Sequence, residues 1–450
     1  MRRLAEQTRF PAAMAAMAAM AAAGIVAVLS AGEENLRGEY GSNGRASGQL
    51  HDGLRDDVSE IIDAQEHAAA NQEPGEEVHR VMRPGVEQLR ALAISRSLFR
   101  PTTLKAAVNR LGFVQADPIR SPARAQDLIL RHRVKEYRTG DLERRYPSLD
   151  VEEDVLYAYG FLPRGMWDLL HPRRAETLSE LEMKVLAVVR TCGTVHPKEL
   201  EANFGRDRVV NGWGGYSNAT KSALERLHYC GLTRIARREN GIRIYEAAPP
   251  HTNDLSSNAR LTKLVLAVAT LLAPVPETTL HAITARLRRA ISAVVDHRNV
   301  VRTLVKAGEL ERQQVDGISY LWTAARRSCE EPPRTVRFLA PFDPLVWDRR
   351  RFEHLWQWSY RFEAYTPPAK RIRGYYALPL LWGDAVIGWA NVGAAEPRLS
   401  IELGFVERQP KGREFRRELD AEIERLEAFL VPRPTRAGTG RPTATSSKRR

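Results

Sequence analysis

A helix, a glycine stop and a hairpin occur twice in this chain, about 77 residues apart, and that repeat restricts the fold more than any other feature. In the first copy Leu181, Val185, Leu186 and Val189 mark a helix that Thr177 and Glu180 can open as a capping box. Pro197–Phe204 reads as a second short helix. Ser217 can cap a third over Ala219–Cys230, and Gly231 stops it. Residues 232–236 and 242–245 then alternate as strands around Glu239-Asn240-Gly241, a strong hairpin signal. The second copy runs through Leu261–Leu272, His281–Leu287 and Val294–Ala307 to Gly308, then turns a hairpin at Asp316-Gly317 towards Tyr320 and Trp322. Leu227…Gly231 and Leu304…Gly308 fall in register.

Three helices followed by a hairpin is the winged-helix plan, a relative of helix-turn-helix. The expected fold class is therefore α+β, with winged helices at 177–250 and 257–326 and a winged-helix-like domain before them at 84–176. In that first domain Val86–Leu98, Thr103–Leu111, Pro122 to about Arg133, Tyr137–Arg145 and Val151–Leu162 carry helical patterns, and Tyr157, Tyr159, Phe161 and Trp167 read as core. Residues 335–432 should form a small antiparallel sheet or barrel. Its strands are expected around 336–344, 374–382, 385–392 and 399–405, with a closing helix striped by Phe415, Leu419, Ile423, Leu426 and Phe429.

Charge points to a partner. Residues 1–80 hold 7 basic and 13 acidic residues, so the net +13 of the chain is a −6 segment followed by a +19 body, with 61 basic against 42 acidic residues. Such a body suits a polyanion, here double-stranded DNA rather than a membrane, although an arginine-rich proteome would give the same composition. Candidate phosphate contacts are Arg120, Arg124 and Arg131, Lys221 and Arg226 on one third helix, Arg302 on the other, and Arg237-Arg238 at the first wing tip. Arg133 and His132 belong to the same cluster as Arg131. Three isolated cysteines and scattered histidines give neither a disulfide framework nor metal-ligand spacing, so no metal or cofactor is expected. A monomer in a reducing, nucleoid-associated cytoplasm fits. Residues 1–83, with an Ala/Met run and then an acidic stretch, read as a signal, a disordered tail or translated upstream sequence, the last two preferred. Residues 433–450 carry six basic residues and no acid, as a flexible tail would.

The candidate chemistry lies at Leu111–Arg120. Apolar residues lead into Gln115 and Asp117, spaced i, i+2, and Pro118 keeps Asp117 out of the helical region. An extended backbone puts both side chains on one face, where amide and carboxylate can hold a water between them and support positive charge opposite. The competing reading makes Asp117 and Ser121 helix caps, each with proline at the first helical position.

Taken together, Leu111–Ile119, Arg124-Ala125, the tandem wings and Pro341–Arg349 resemble the bacterial winged-helix DNA glycosylases of the YcaQ and AlkZ type, over roughly residues 84–430. The resemblance implies three winged helices and a barrel curved around DNA, and excision of alkylated or crosslinked purines. It also implies that Gln115 positions water while Asp117 activates it and stabilises the sugar cation. The chain departs from the family pattern at Gln126, at Tyr157-Ala158-Tyr159-Gly160 and at Gly388-Trp389-Ala390-Asn391, as a divergent branch would. Two non-enzymatic functions remain compatible with the residues: a winged-helix regulator bound to one DNA sequence, and a scaffold using its wings for protein partners.

Overall fold

Three times along the chain a short strand adds itself to the far strand of a hairpin. The computed structural model describes residues 84–431 except 174–176, 211–215, 252–253, 292–295, 325–333 and 396–397. The expectations for 1–83 and 433–450 lie outside the described residues.

The first unit comprises α1 (Pro84–Ser97), α2 (Leu104–Leu111), β1 (Val114–Gln115), α3 (Ala125–Leu130), α4 (Asp141–Arg145), β2 (Val151–Val155), β3 (Tyr159–Pro163) and α5 (Arg164–Leu170). Its sheet order is β1-β3-β2. The second has α6 (Glu180–Cys192), β4 (Thr194–Val195), α7 (Pro197–Phe204), α8 (Ala219–Tyr229), β7 (Thr233–Glu239) and β8 (Ile242–Ala247), in order β4-β8-β7. A two-stranded insert, β5 (Arg208–Val210) with β6 (Tyr216–Asn218), precedes α8. The third repeats the pattern with α9 (Ser257–Leu271), β9 (Val275–Pro276), α10 (Glu277–Ile291), α11 (His297–Lys306), β10 (Leu310–Val315) and β11 (Ile318–Thr323). Gly231 and Gly308 stop α8 and α11 at φ of 75° and 72°. Both hairpin tips, Asn240-Gly241 and Asp316-Gly317, have two positive φ values, as a turn matched to strand twist requires.

The last unit is a four-stranded antiparallel sheet in the order β12 (Val336–Phe338), β13 (Leu378–Trp382), β14 (Ala385–Ala395) and β15 (Arg398–Phe405), with α12 (Arg349–Trp356) and the closing α13 (Arg413–Leu430). The α13 stripe buries Phe415, Leu419, Leu426 and Phe429. One apolar core runs from Phe99 to Phe429 through all four units. A second joins α1, through Leu89 and Ile94, to Tyr320 of β11 and Phe352 of α12. The molecule is thus a mixed α+β structure of several small antiparallel sheets with a C-terminal helix.

Several local expectations need correction. Val151–Leu162 is not helical: β-branched and aromatic residues around Ser-free, buried Glu152–Asp154 form the β2–β3 hairpin. No helix starts at Pro118 or Pro122; α3 begins at Ala125, its N-cap Arg124 making no side-chain capping bond. The capping box of α6 belongs to Ser179 and Glu182, two residues beyond Thr177 and Glu180. Ser217 lies in β6, and Asn218 stands at the start of α8. Of the strand and turn expected over 336–344, the strand covers only Val336–Phe338, and Asp348 then caps α12, a helix its sequence pattern did not reveal.

Candidate active site

Strand β1 supplies the first polar side chain. Val114 and Gln115 pair with Phe161 and Gly160 of β3, and the Ala116 N–H extends the ladder to the Tyr159 carbonyl at 2.9 Å. Gly160 is required there: a Cβ would lie 2.4 Å from the Val114 carbonyl oxygen and 2.6 Å from the Phe113 ring. The extended backbone expected at Gln115 is therefore formed and its pairing reaches Ala116, with Asp117 next along the chain.

Hydrogen bonding around the pair is incomplete. The Gln115 Oε1 is buried and accepts no bond. The Ile119 N–H donates to Asp117 Oδ1 at 2.9 Å, a local turn, and the Asp117 N–H donates to Gln126 Oε1 at 3.4 Å. Among the described residues no cation forms an ion pair with Asp117. Burial pushes its carboxyl up to about 6, only partly offset by the Ile119 N–H. Two tyrosines that precede β13 feel the Asp117 charge. Tyr376 is buried, and its hydroxyl has no partner. Its ionisation is pushed well up by burial and then by the Asp117 charge; Tyr365 is raised to about 12 by the same two causes in the same order. Amide oxygen, carboxylate and phenol thus share a neighbourhood with hydrogen-bonding capacity unused by the protein. Neither tyrosine was foreseen; only the fold brings residues 365 and 376 to 117.

The basic candidates divide. Arg120 is exposed and lines an open cleft with Gly140, Glu143, Arg144, Arg238, Asn240 and Gly241, where the β7–β8 tip meets the first unit. Arg124, nearby, is ion-paired with Glu143, and burial followed by the Arg120 and Arg238 charges lowers it to about 10. Lys221 is half exposed, 3.9 Å from Glu225, Arg237 pairs with Glu239 at 2.7 Å, and exposed Arg302 donates to Asn299 at 2.9 Å.

Three others are tied to acids of the protein itself. Arg131 pairs with buried Glu422 and donates to the Phe338 carbonyl at 3.2 Å. Arg226 pairs with Glu182 at 3.0 Å. Arg238 leaves the wing tip to grip Glu153 of β2 through Nε at 2.8 Å and Nη2 at 2.5 Å. Arg133 and His132, grouped with Arg131 in the sequence, are buried as well. Arg133 makes a two-pronged bond to Asp343 at 2.8 and 3.0 Å, tying the end of α3 to Pro341–Arg349, and His132 Nε2 lies 2.9 Å from the Phe338 carbonyl. A guanidinium fixed to a buried carboxylate is part of the fold and does not present itself to phosphate.

Comparison with known proteins follows the same geometry. A family model described as DNA glycosylase AlkZ-like matches residues 108–429. The chain belongs to the AlkZ-like DNA glycosylase family. Gln115, Asp117, Tyr365, Tyr376 and the Arg133–Asp343 tie all lie in the part of this AlkZ-like chain that the family model spans. In fold the chain is similar to the Streptomyces sahachiroi DNA glycosylase AlkZ, with a TM-score of 0.51 at 15% identity, over 78% of this chain and 99% of that one. No helix among the described residues of this AlkZ-like protein is long and apolar enough to cross a membrane.

Proposed function

We propose that the protein hydrolyses the N-glycosidic bond of N7-alkylated or crosslinked purines in double-stranded DNA, with Gln115 and Asp117 as the catalytic pair. The chain would act as three tandem winged-helix units, 84–176, 177–250 and 257–326, with 335–432 completing the site. A purine alkylated at N7 is already cationic, so its departure needs no proton donor, and one carboxylate with one amide suffices. Gln115 Oε1 accepts a hydrogen bond from water. As the C1′–N9 bond breaks, its electron pair goes to the base and cancels the N7 charge. Ionised Asp117 faces the cationic sugar; the water oxygen bonds to C1′ and its proton passes to Asp117. In this reading the unpartnered Tyr376 hydroxyl holds the same water or the sugar oxygen. Exposed Arg120, Lys221 and Arg302, with half-buried Arg237, are the phosphate contacts this reading retains.

The observation carrying this reading is the hydrogen-bonding capacity that Gln115 and Asp117 leave unused beside an unpartnered tyrosine hydroxyl. The test is release of free base from duplex carrying N7-methylguanine. Wild type should release it and Asp117→Asn should lose roughly 10²–10⁴-fold in rate. No release by wild type, or equal release by the variant, defeats the proposal. The Asp117–Ile119 turn bond favours a second reading, a DNA-binding regulator in which Asp117 only shapes the backbone. That reading predicts tight binding to one preferred sequence and no base release.

A further inference from the structure

The strap from Ala364 to Arg373, between α12 and β13, breaks the rule that large apolar groups are covered. Ile372 is 74% exposed, the highest value among the large hydrophobics of the described residues, and Tyr365 on the same strap is 53% exposed. The backbone bearing them is held firmly. Buried Glu363 accepts from the N–H groups of Ile372 at 3.0 Å, Arg373 at 2.7 Å and Gly374 at 3.1 Å. The Thr366 N–H returns to the Glu363 carbonyl at 3.0 Å, and Arg371 Nε donates to the Thr366 carbonyl at 2.8 Å. At its base the Phe362 ring packs on Phe342, Tyr376 and Tyr365, with centroids 5.1, 5.2 and 5.9 Å away. A carboxylate committed to three successive main-chain donors fixes that turn, and with it the outward direction of Ile372.

Charge and position indicate what an outward isoleucine meets. Residues 364–377 contain Lys370, Arg371 and Arg373 and no acid, so the apolar tip is set in a basic frame. Tyr365 packs on the same Phe362 ring as Tyr376, whose unpartnered hydroxyl belongs to the candidate site, so the strap borders that site. Proteins that distort duplexes present this combination, an apolar side chain between base steps and cations on the flanking phosphates.

We propose that the strap is a wedge: Ile372 enters the base stack beside the nucleotide presented to Gln115 and Asp117, and the Tyr365 ring covers the face of the base it exposes. The wedge's place next to those residues rests on the glycosylase reading; its insertion into DNA does not. The experiment uses the full chain and a duplex with 2-aminopurine next to N7-methylguanine, following fluorescence, free base and binding separately. Wild type should raise the fluorescence several-fold as the stack opens. At saturating protein Ile372→Ser should abolish that rise and slow base release about tenfold, while its affinity for the duplex changes less than threefold and its Tm stays unchanged. Glu363→Gln, which leaves Ile372 in place but loosens the turn, should act in the same direction.

Persistence of the fluorescence rise in Ile372→Ser overturns the wedge. So does base release by wild type without any rise, which leaves the glycosylase reading intact. A rise without base release supports the wedge and removes the glycosylase. Failure of wild type to bind the duplex overturns both, and would mark the strap as a protein-docking surface instead.

Discussion

Strands β1 and β2 flank β3 in one small sheet, and they treat their polar residues in opposite ways. Gly160 of β3 faces Gln115 on one side and Asp154 on the other. On β2 three consecutive acids are buried, and each has a cation. Glu152 meets Arg234 at 3.1 Å and also Arg164; Glu153 meets Arg238; Asp154 meets Arg173 at 2.9 Å and His171 at 2.6 Å. Burial alone would raise Asp154, but Arg173 and His171 outweigh it and hold the carboxyl well below its usual range. Just beyond β1 stands one acid, Asp117, with no ion pair among the described residues and a pKa displaced upward to about 6. Two aspartates in one sheet thus differ by their partners. Its neighbours Glu152 and Glu153 join the first unit to the second through Arg234 and Arg238 of β7, while Asp117 has the raised pKa that the proposed proton acceptor would use.

This contrast can be broken at either strand. The largest effect expected is on stability at β2. Asp154→Ala leaves Arg173 and His171 without their acid and should cost about 3–5 kcal/mol by chemical denaturation, a loss that Asp117→Asn should not show. If both variants unfold alike, the two aspartates are doing the same structural job.

Acidity separates them next. Only ionised Asp117 can take a proton, so base release should fall about tenfold per pH unit below 6 and level off above it, where an ordinary carboxylate would hold its rate to about 4. Stability follows the signs of the shifts. A raised carboxyl binds its proton more tightly in the fold, so the contribution of Asp117 is present below about 4 and lost as pH rises through 6. Asp117→Asn should therefore raise the Tm modestly at pH 8. Burial lowers His171 and His228 to about 4, so the unfolded chain takes up protons that the fold refuses. Their contribution is complete above 6.5 and disappears as pH falls to about 4, which denaturation curves across that window would measure.

A smaller change tests the groups around Asp117. Tyr376→Phe keeps the ring and deletes the unpartnered hydroxyl; base release should drop by about five- to tenfold with no loss of Tm. An unchanged rate would limit the role of Tyr376 to packing. The smallest effect belongs to the cleft. Arg120→Ala should weaken duplex binding a few-fold and reduce the slope of log affinity against log salt by about 0.9, read from titrations at several salt concentrations. A variant with the parental slope would move the phosphate contact elsewhere.

Legibility followed the range of the forces involved. The glycine stops at 231 and 308, the Asn240-Gly241 and Asp316-Gly317 turns and the α13 stripe act within a few residues, and each was readable along the chain. So was the extension at Gln115, which apolar neighbours and Pro118 impose. Val151–Leu162 misled because a buried strand whose acids are all paired looks neither alternating nor apolar. The same long-range pairing hid the fates of Arg131 and Arg238, since Glu422 and Glu153 lie far away in sequence.

By itself the sequence determined that an amide and a carboxylate would stand two residues apart on extended chain within a repetitive, basic protein. Tertiary structure decided which charges are available. Ion pairing and burial depend on what another segment brings within a few ångströms: it brought Arg173 to Asp154, Asp343 to Arg133 and two tyrosines to Asp117. Whether a side chain holds the fold together or stays free to act was settled by those approaches.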